Sequence, residues 1–136
     1  MEGFRFAVPL TVRISDLNYA NHVGYQIYLS YFQEARLAYL GRLGYSELDI
    51  EGYGIMIAEA VCRYKQELFL KDTIAVGCRI SLFRSKGFRT EYQIERDGAL
   101  CAEGYTDCLC YDPRLRKVVR LPEPFVAAVR SFENTN

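Results

Sequence analysis

Hydrophobic and polar residues follow two different periods in this chain, a helical one near the start and an alternating one further on. Residues 10–15 alternate between apolar and polar, which predicts a half-buried strand. Residues 23–40 contain no proline and a single glycine, and their apolar arc is wider than their polar arc. This segment therefore predicts a long helix that needs cover on more than one side. Gly41 and Gly44 are expected to end it.

After Gly54 the pattern changes to strands separated by turn residues. Asp97-Gly98 is a strong hairpin signal between two of them. Two prolines then open a predicted final helix over residues 125–132. The predicted strands are residues 55–70, 74–82, 88–94, 100–111 and a short 117–121.

The order of elements is strand, long helix, then consecutive strands joined by hairpins. Such a run of strands favours an antiparallel sheet with the helix on one face. We expect an α+β hotdog fold, in which a curved antiparallel sheet of five to six strands wraps around one long central helix. The ferredoxin-like sandwich is the competing interpretation, but it needs a second long helix between strands. Residues 1–136 are expected to form one hotdog domain.

Composition limits the possible partners. Lys and Arg together number 17, as do Asp and Glu, so there is no basic excess for nucleic acid. No apolar run has the roughly 18 residues of a membrane span, and the start carries charges, unlike a signal peptide. Five cysteines without framework spacing and a single histidine give no convincing metal set. We expect a cytoplasmic protein with reduced thiols, no cofactor, no nucleic acid and no membrane contact.

The stretch DLNYANHVGY, residues 16–25, concentrates the candidate chemistry at the predicted start of the helix. A helix cap explains one polar residue here, and Asp16 or Asn21 would serve. Three side chains capable of acid–base or hydrogen-bond chemistry, Asp16, Asn18 and His22, exceed what a cap requires.

The same helix start also suits an oxyanion site. Backbone N–H groups near Gly24 and Tyr25 could point at a developing negative oxygen, with the helix dipole behind them. Gly24 leaves room for a carbonyl to approach the backbone. A nearby carboxylate could act as nucleophile or position a water, and His22 could act as base or donor. Together these groups favour acyl transfer or hydrolysis.

Residues 12–40 read VRISDLNYANHVGYQIYLSYFQEARLAYL. They resemble the signature region of hotdog acyl-CoA thioesterases of the 4-hydroxybenzoyl-CoA thioesterase type: a strand, an Asp-rich turn, a Tyr-Leu-x-x-Phe helix and an Ala-Arg pair. Further matches at Arg63-Tyr64, Lys71-Asp72 and residues 84–92 and 118–122 extend the resemblance over residues 8–122. The resemblance implies hydrolysis of an acyl thioester of CoA or of acyl carrier protein, without metal or cofactor.

The resemblance also implies roles for residues in the turn. In the best-understood relatives the turn reads Asp-x-Asp and the second Asp is catalytic. Asn18 matches that position, and Asp16 matches the first Asp. His22 matches the histidine of plant acyl carrier protein thioesterases, which contributes to catalysis. Asp16 and His22 are thus implied as the working pair, with Asn18 orienting water or thioester and the Tyr25 amide polarising the carbonyl.

Two further features have a functional and a structural interpretation. Arg84, Lys86 and Arg89 surround a glycine turn and could hold CoA phosphates, although basic turns are common on any surface. Glu59 interrupts an apolar run, which marks either a site or a cross-strand pair with Arg79 or Arg89.

The resemblance implies a homodimer or a tetramer of dimers, built by pairing sheets edge to edge. Because Asn18 stands where relatives carry a carboxylate, a non-catalytic module that binds acyl thioesters or docks a carrier protein remains the alternative. A cysteine nucleophile would need a thiol beside His22, and all five cysteines lie in predicted strands. The motif of hotdog dehydratases is absent from the sequence.

Overall fold

The computed structural model describes residues 1–135, which form a six-stranded antiparallel sheet and two α-helices. A single 3-10 turn, Ile14–Asp16, follows the first strand. Bulges in three of the strand pairings bend the sheet. The elements are β1 (Ala7–Thr11), α1 (Ile27–Arg42), β2 (Gly54–Tyr64), β3 (Thr73–Phe83), β4 (Gly87–Arg96), β5 (Ala99–Asp112), β6 (Lys117–Val118) and α2 (Glu123–Glu133).

The strands lie in the order β1-β3-β4-β5-β2, and β6 pairs with the end of β5. The predicted hairpin at Asp97-Gly98 joins β4 to β5, and both residues have positive φ, 53° and 80°. Among the described residues β2 pairs with no strand other than β5, and apart from the bond of the Ile55 amide to the Glu47 carbonyl its second edge is open. The expected α+β class and antiparallel curved sheet are confirmed.

Helix α1 packs its aromatic face onto the sheet. Phe32 is fully buried and stacks on Tyr92 of β4, with ring centroids 4.4 Å apart. The helix begins at Ile27 rather than at residue 23, because the Val23 and Gly24 amides bond to the carbonyls of Leu68 and Asp16. One long central helix is therefore not confirmed: α1 has 16 residues, and α2 adds a second helix. Neither helix is long and apolar enough to cross a membrane.

Arg36 is a charged residue of α1 that the fold buries. Its side chain is only 6% exposed, and Nε donates to Glu47 Oε2 at 2.9 Å. One terminal nitrogen donates to the Tyr92 hydroxyl at 2.9 Å, and that hydroxyl bonds to Thr106 at 2.7 Å. Because burying a charge is costly unless it is paired and hydrogen-bonded, this network fixes α1 against β4 and β5.

Strand β2 ends at Tyr64, six residues earlier than the apolar pattern predicts. The amides of Lys65 and Gln66 both donate to the Cys101 carbonyl, at 2.8 and 3.1 Å, and turn the chain out of the strand direction. The Val23 amide then bonds to the Leu68 carbonyl at 2.9 Å. The segment that follows β2 is thereby held against the turn before α1.

Candidate active site

The turn before α1 is a tight loop closed by backbone bonds. The Asn18 amide donates to the His22 carbonyl at 2.8 Å, and the Asn21 amide donates to the Asn18 carbonyl at 3.1 Å. Asn21 takes a left-handed conformation, φ 66°, which asparagine tolerates better than most residues. The Asn18 side-chain oxygen accepts from the Ala20 amide at 2.9 Å. Sequence and geometry together therefore fix where Asn18 and His22 lie.

Asp16 is buried beneath this loop and holds it in place. One carboxylate oxygen accepts from the Arg13 amide at 3.0 Å and from the Tyr31 hydroxyl at 2.8 Å. Burial and the bond to Asp16 raise the pKa of Tyr31 well above its usual range, so the hydroxyl remains a donor. The expected working pair of Asp16 and His22 is not brought together, because the Asp16 carboxylate faces the core and does not line the cleft described next.

A cleft of about 330 Å³ opens where α1 begins. One wall is the turn before α1, and the other is the segment that follows β2. His22 Nδ1 lies 3.2 Å from the Val23 carbonyl oxygen, and Nε2 lies 3.8 Å from a carboxylate oxygen of Glu67. The lining residues are Asn18, His22, Val23, Tyr25, Tyr28, Tyr64, Lys65, Gln66 and Glu67.

Of the two predicted oxyanion donors, one is already engaged. The Gly24 N–H donates to the Asp16 carbonyl at 3.1 Å, so the expectation for Gly24 needs correction. A Cβ at Gly24 would come within 2.8 Å of the Gln26 side chain, which therefore covers this glycine. The Tyr25 N–H has no hydrogen-bond partner within residues 1–135. Tyr25 thus provides an available amide two residues before α1 begins.

Two tyrosine hydroxyls join the walls of the cleft. The Tyr64 hydroxyl donates to the Tyr25 carbonyl at 2.7 Å, and the Tyr28 hydroxyl donates to the Gln66 carbonyl at 3.1 Å. Their rings meet edge to face, with centroids 4.9 Å apart. Burial is the main cause that raises the pKa of each tyrosine to about 12, so both hydroxyls stay protonated and donate at neutral pH.

The basic group proposed for CoA phosphates is largely paired. Arg89 binds both carboxylate oxygens of Asp107, at 2.8 and 3.1 Å, and Arg84 lies 3.6 Å from the same carboxylate. Lys86 follows in the turn between β3 and β4. Arg89 is thus not a free phosphate ligand in a single subunit, whereas the Arg84 side chain makes no hydrogen bond to Asp107 and is 54% exposed.

The same basic group also lies at the other end of the sheet from the cleft. Gly87 pairs with Leu109 of β5, whereas Tyr64 beside the cleft pairs with Ala102 of the same strand. At about 3.3 Å per residue, these seven positions amount to roughly 23 Å. Within one subunit the structure does not bring the basic group and the cleft together.

Glu59 and the cysteines do not enter the cleft. Glu59 accepts from the Tyr105 hydroxyl at 2.9 Å on the exposed face of the sheet, rather than pairing with an arginine. Burial raises the thiol pKa of all five cysteines, which disfavours the nucleophilic thiolate. Across residues 1–135, no group of three or more His, Cys, Asp or Glu side chains is arranged to hold a metal ion.

The sequence interpretation missed Glu67. Residues 55–70 were expected to form one strand, in which Glu67 would be an ordinary exposed position. The one turn signal in this region is Lys71-Asp72, which lies after residue 70 and therefore does not show that the strand ends at Tyr64. Only the fold places Glu67 opposite His22.

Several solved structures resemble this chain in sequence and in fold. The chain is similar to a thioesterase from Thermus thermophilus, crystallised with coenzyme A and Zn, with 27% identity, all of both chains covered and a TM-score of 0.87. A 1,4-dihydroxy-2-naphthoyl-CoA thioesterase from Synechocystis shares the fold, with 22% identity, 91% of this chain and 94% of that chain covered, and a TM-score of 0.83.

A DHNA-CoA thioesterase from Staphylococcus aureus likewise shares the fold, with 22% identity, 93% of this chain and 88% of that chain covered, and a TM-score of 0.83. No curated protein matches the chain significantly. The sequence profile of the thioesterase-like superfamily matches residues 12–129, which include the turn, the cleft and the whole sheet after β1. The resemblance to hotdog acyl-CoA thioesterases is therefore confirmed, and the chain belongs to the thioesterase-like superfamily.

Proposed function

We propose that this protein hydrolyses an acyl thioester of coenzyme A to the free acid and the thiol. The observation that carries the proposal is the unpartnered Tyr25 N–H, which lies at the start of α1 in a cleft lined by Asn18 and His22. Membership of the thioesterase-like superfamily supports thioester chemistry at this cleft.

The Tyr25 amide and the helix dipole provide the electrostatic part of the mechanism. The thioester carbonyl oxygen accepts from the Tyr25 N–H, and the positive end of α1 stabilises the charge that develops as water attacks. Collapse of the tetrahedral intermediate breaks the C–S bond and releases the thiol. Asn18 and His22 line the path of the water and orient it or the thioester group.

Coenzyme A is the proposed carrier because the Thermus thermophilus relative was crystallised with it. Acyl carrier protein is the other candidate carrier, as the likeness of His22 to plant enzymes implies. We propose that residues 1–136 form a single hotdog domain. Five cysteines without a disulfide among the described residues support a reducing compartment, and we propose the cytoplasm.

A homodimer joined through β2 would complete the phosphate site. Met56 and Ile57 on this strand are 41% and 40% exposed, and the open edge of β2 offers unpaired backbone groups to a second copy. Antiparallel pairing of two β2 edges would place the partner subunit's Arg84 and Lys86 at the end of the sheet that carries this cleft. We therefore propose that coenzyme A lies across the subunit edge, with a tetramer of dimers as the larger assembly.

The test is a panel of aromatic, short-chain and long-chain acyl-CoAs and acyl carrier proteins, with a dye that traps released thiol. We expect thiol release from at least one acyl-CoA. Light scattering on the same preparation checks the dimer, and a monomer at micromolar concentration would contradict the shared phosphate site.

The second candidate function is a non-catalytic module that binds acyl thioesters or docks a carrier protein. Asn18, which lacks the carboxylate of the relatives, is the observation that favours it. Tight binding of an acyl thioester by the native protein without release of thiol would select this function over hydrolysis.

A further inference from the structure

We propose that Glu67 supplies the carboxylate of the reaction, as the general base that activates the attacking water, and that His22 positions it. The inference rests on the proposed thioester hydrolysis and deepens it. Residue 18 is an asparagine, whose neutral amide cannot accept a proton from water, so a carboxylate base has to come from another residue.

Glu67 is the one acidic residue among those that line the cleft. Asn18 and His22 lie on one wall, and Glu67 lies on the other, with its carboxylate oxygen 3.8 Å from His22 Nε2. Asp16 is unsuitable as a base because its side chain is 6% exposed and its Oδ2 already accepts two hydrogen bonds. The Glu67 side chain is 64% exposed and therefore accessible to water and substrate.

The backbone around Glu67 is fixed at three consecutive carbonyls. The Gln66 carbonyl accepts from the Tyr28 hydroxyl at 3.1 Å, and the Glu67 carbonyl accepts from Arg96 at 2.8 Å. The Leu68 carbonyl accepts from the Val23 amide at 2.9 Å, and the Leu68 side chain is fully buried. The backbone that carries Glu67 is therefore rigid, which reduces the entropy lost when the carboxylate engages the reacting water.

His22 is placed to orient this carboxylate. His22 Nδ1 lies 3.2 Å from the Val23 carbonyl oxygen, a contact that fixes the ring, and Nε2 then faces the Glu67 carboxylate at 3.8 Å. The Nζ of neighbouring Lys65 lies 4.0 Å from a carboxylate oxygen of Glu103, so this ammonium group does not compete with His22 for the Glu67 carboxylate. We therefore assign His22 as the positioning residue and Glu67 as the catalytic residue.

The proposed step balances as an ordinary hydrolysis. As the water oxygen bonds to the carbonyl carbon, Glu67 accepts one water proton, and the carbonyl electron pair moves to the oxygen held by the Tyr25 N–H. When that pair re-forms the carbonyl, the C–S bond breaks and the sulfur leaves with the bonding electrons. Glu67 then returns the proton to the thiolate, and the products are the acid and the thiol.

The first experiment compares Glu67→Gln with the native protein on the most active acyl-CoA of the panel. Loss of a general base is expected to lower kcat by about 100-fold or more, because such catalysis contributes roughly 10²–10⁴, while KM stays within about twofold. Glu95→Gln is the matched control, since Glu95 lies in β4 away from the cleft and should leave kcat unchanged. Thermal unfolding of both variants verifies the fold.

Chemical rescue separates a base from a merely structural group. We expect added formate to raise the kcat of Glu67→Ala at least several-fold and to leave the native enzyme unchanged. A native kcat in Glu67→Gln would overturn the role of Glu67. So would a Glu67→Ala variant that folds, is inactive and does not respond to formate. Neither outcome would affect the proposed function. Absence of turnover by the native protein on the whole panel would instead overturn the proposed function, and this inference with it.

Discussion

Replacement of Tyr25 by proline is the most direct perturbation of the proposed oxyanion site, because it removes the backbone N–H, and the side chain lost with it can be removed separately by Tyr25→Ala. That N–H has no partner within residues 1–135, so no hydrogen bond of the fold is lost. The Ile27 amide donates to the Gly24 carbonyl at 2.9 Å, which places Tyr25 at the second position of a four-residue turn. Proline is favoured at this position, and the Tyr25 side chain is 74% exposed.

The magnitude follows from these two facts. Removal of one preorganised oxyanion donor costs about 10²–10³ in kcat, or roughly 3–4 kcal/mol of transition-state stabilisation. Proline at a compatible turn position changes the free energy of unfolding by only about 1 kcal/mol or less, because it mainly restricts the unfolded chain. We therefore expect an enzyme that folds normally and turns over at least 100-fold more slowly.

The assay measures thiol release under saturating acyl-CoA for the native protein, Tyr25→Pro and Tyr25→Ala. The alanine variant retains the amide and removes the side chain, so it should keep kcat within a few-fold of the native value. Equal kcat for the proline and alanine variants would refute the assignment of this amide. An alanine variant as slow as the proline variant would show that the side chain, rather than the amide, carries the effect.

Three further variants test other contacts of the site. Tyr64→Phe removes the hydroxyl that holds the Tyr25 carbonyl, and we expect kcat to fall about 10-fold with a loss of stability near 1 kcal/mol, measured by urea unfolding. Asp16→Ala leaves the buried Tyr31 hydroxyl and the part-buried Arg13 amide without their acceptor and should lower the free energy of unfolding by about 1–3 kcal/mol for the buried donor and by less for the other, whereas Asp16→Asn should lose less. In a Glu67→Gln background, Asn18→Asp returns a carboxylate to the cleft and should recover at least a tenth of the native kcat.

Each of these variants has an outcome that contradicts it. Native kcat in Tyr64→Phe would show that the Tyr25 peptide needs no external support. Native stability in Asp16→Ala would contradict its role as the anchor of the turn. If Asn18→Asp leaves the Glu67→Gln enzyme as slow as before, a carboxylate at position 18 cannot replace the one at position 67.

The sequence predicted the sheet because strand alternation is a local property. Strands β3, β4 and β5 and the Asp97-Gly98 hairpin each depend on residues a few positions apart. Element boundaries were less predictable, because they depend on distant bonds. Apolar residues continue past Tyr64, and only the bonds of the Lys65 and Gln66 amides to Cys101 show that the strand has ended.

The candidate site was predictable only in part, for the same reason. The turn that carries Asn18, His22 and Tyr25 is contiguous in the sequence and could be recognised as a unit. Glu67 reaches His22 through tertiary contacts across 45 positions of the chain, which no local pattern reports. The burial of Arg36 depends likewise on Tyr92, 56 positions away.

The walls of the cleft are joined by hydrogen bonds between residues far apart in the chain, so activity depends on the folding of most of the chain. The Tyr28–Gln66 and Tyr64–Tyr25 hydrogen bonds link residues 38 and 39 positions apart, and Arg96 of β4 closes the same segment. No fragment that ends before β4 contains all of these groups, and a partly folded chain has no complete cleft. Turnover should therefore serve as a reporter of cooperative folding, and during refolding it should return only with the final native state.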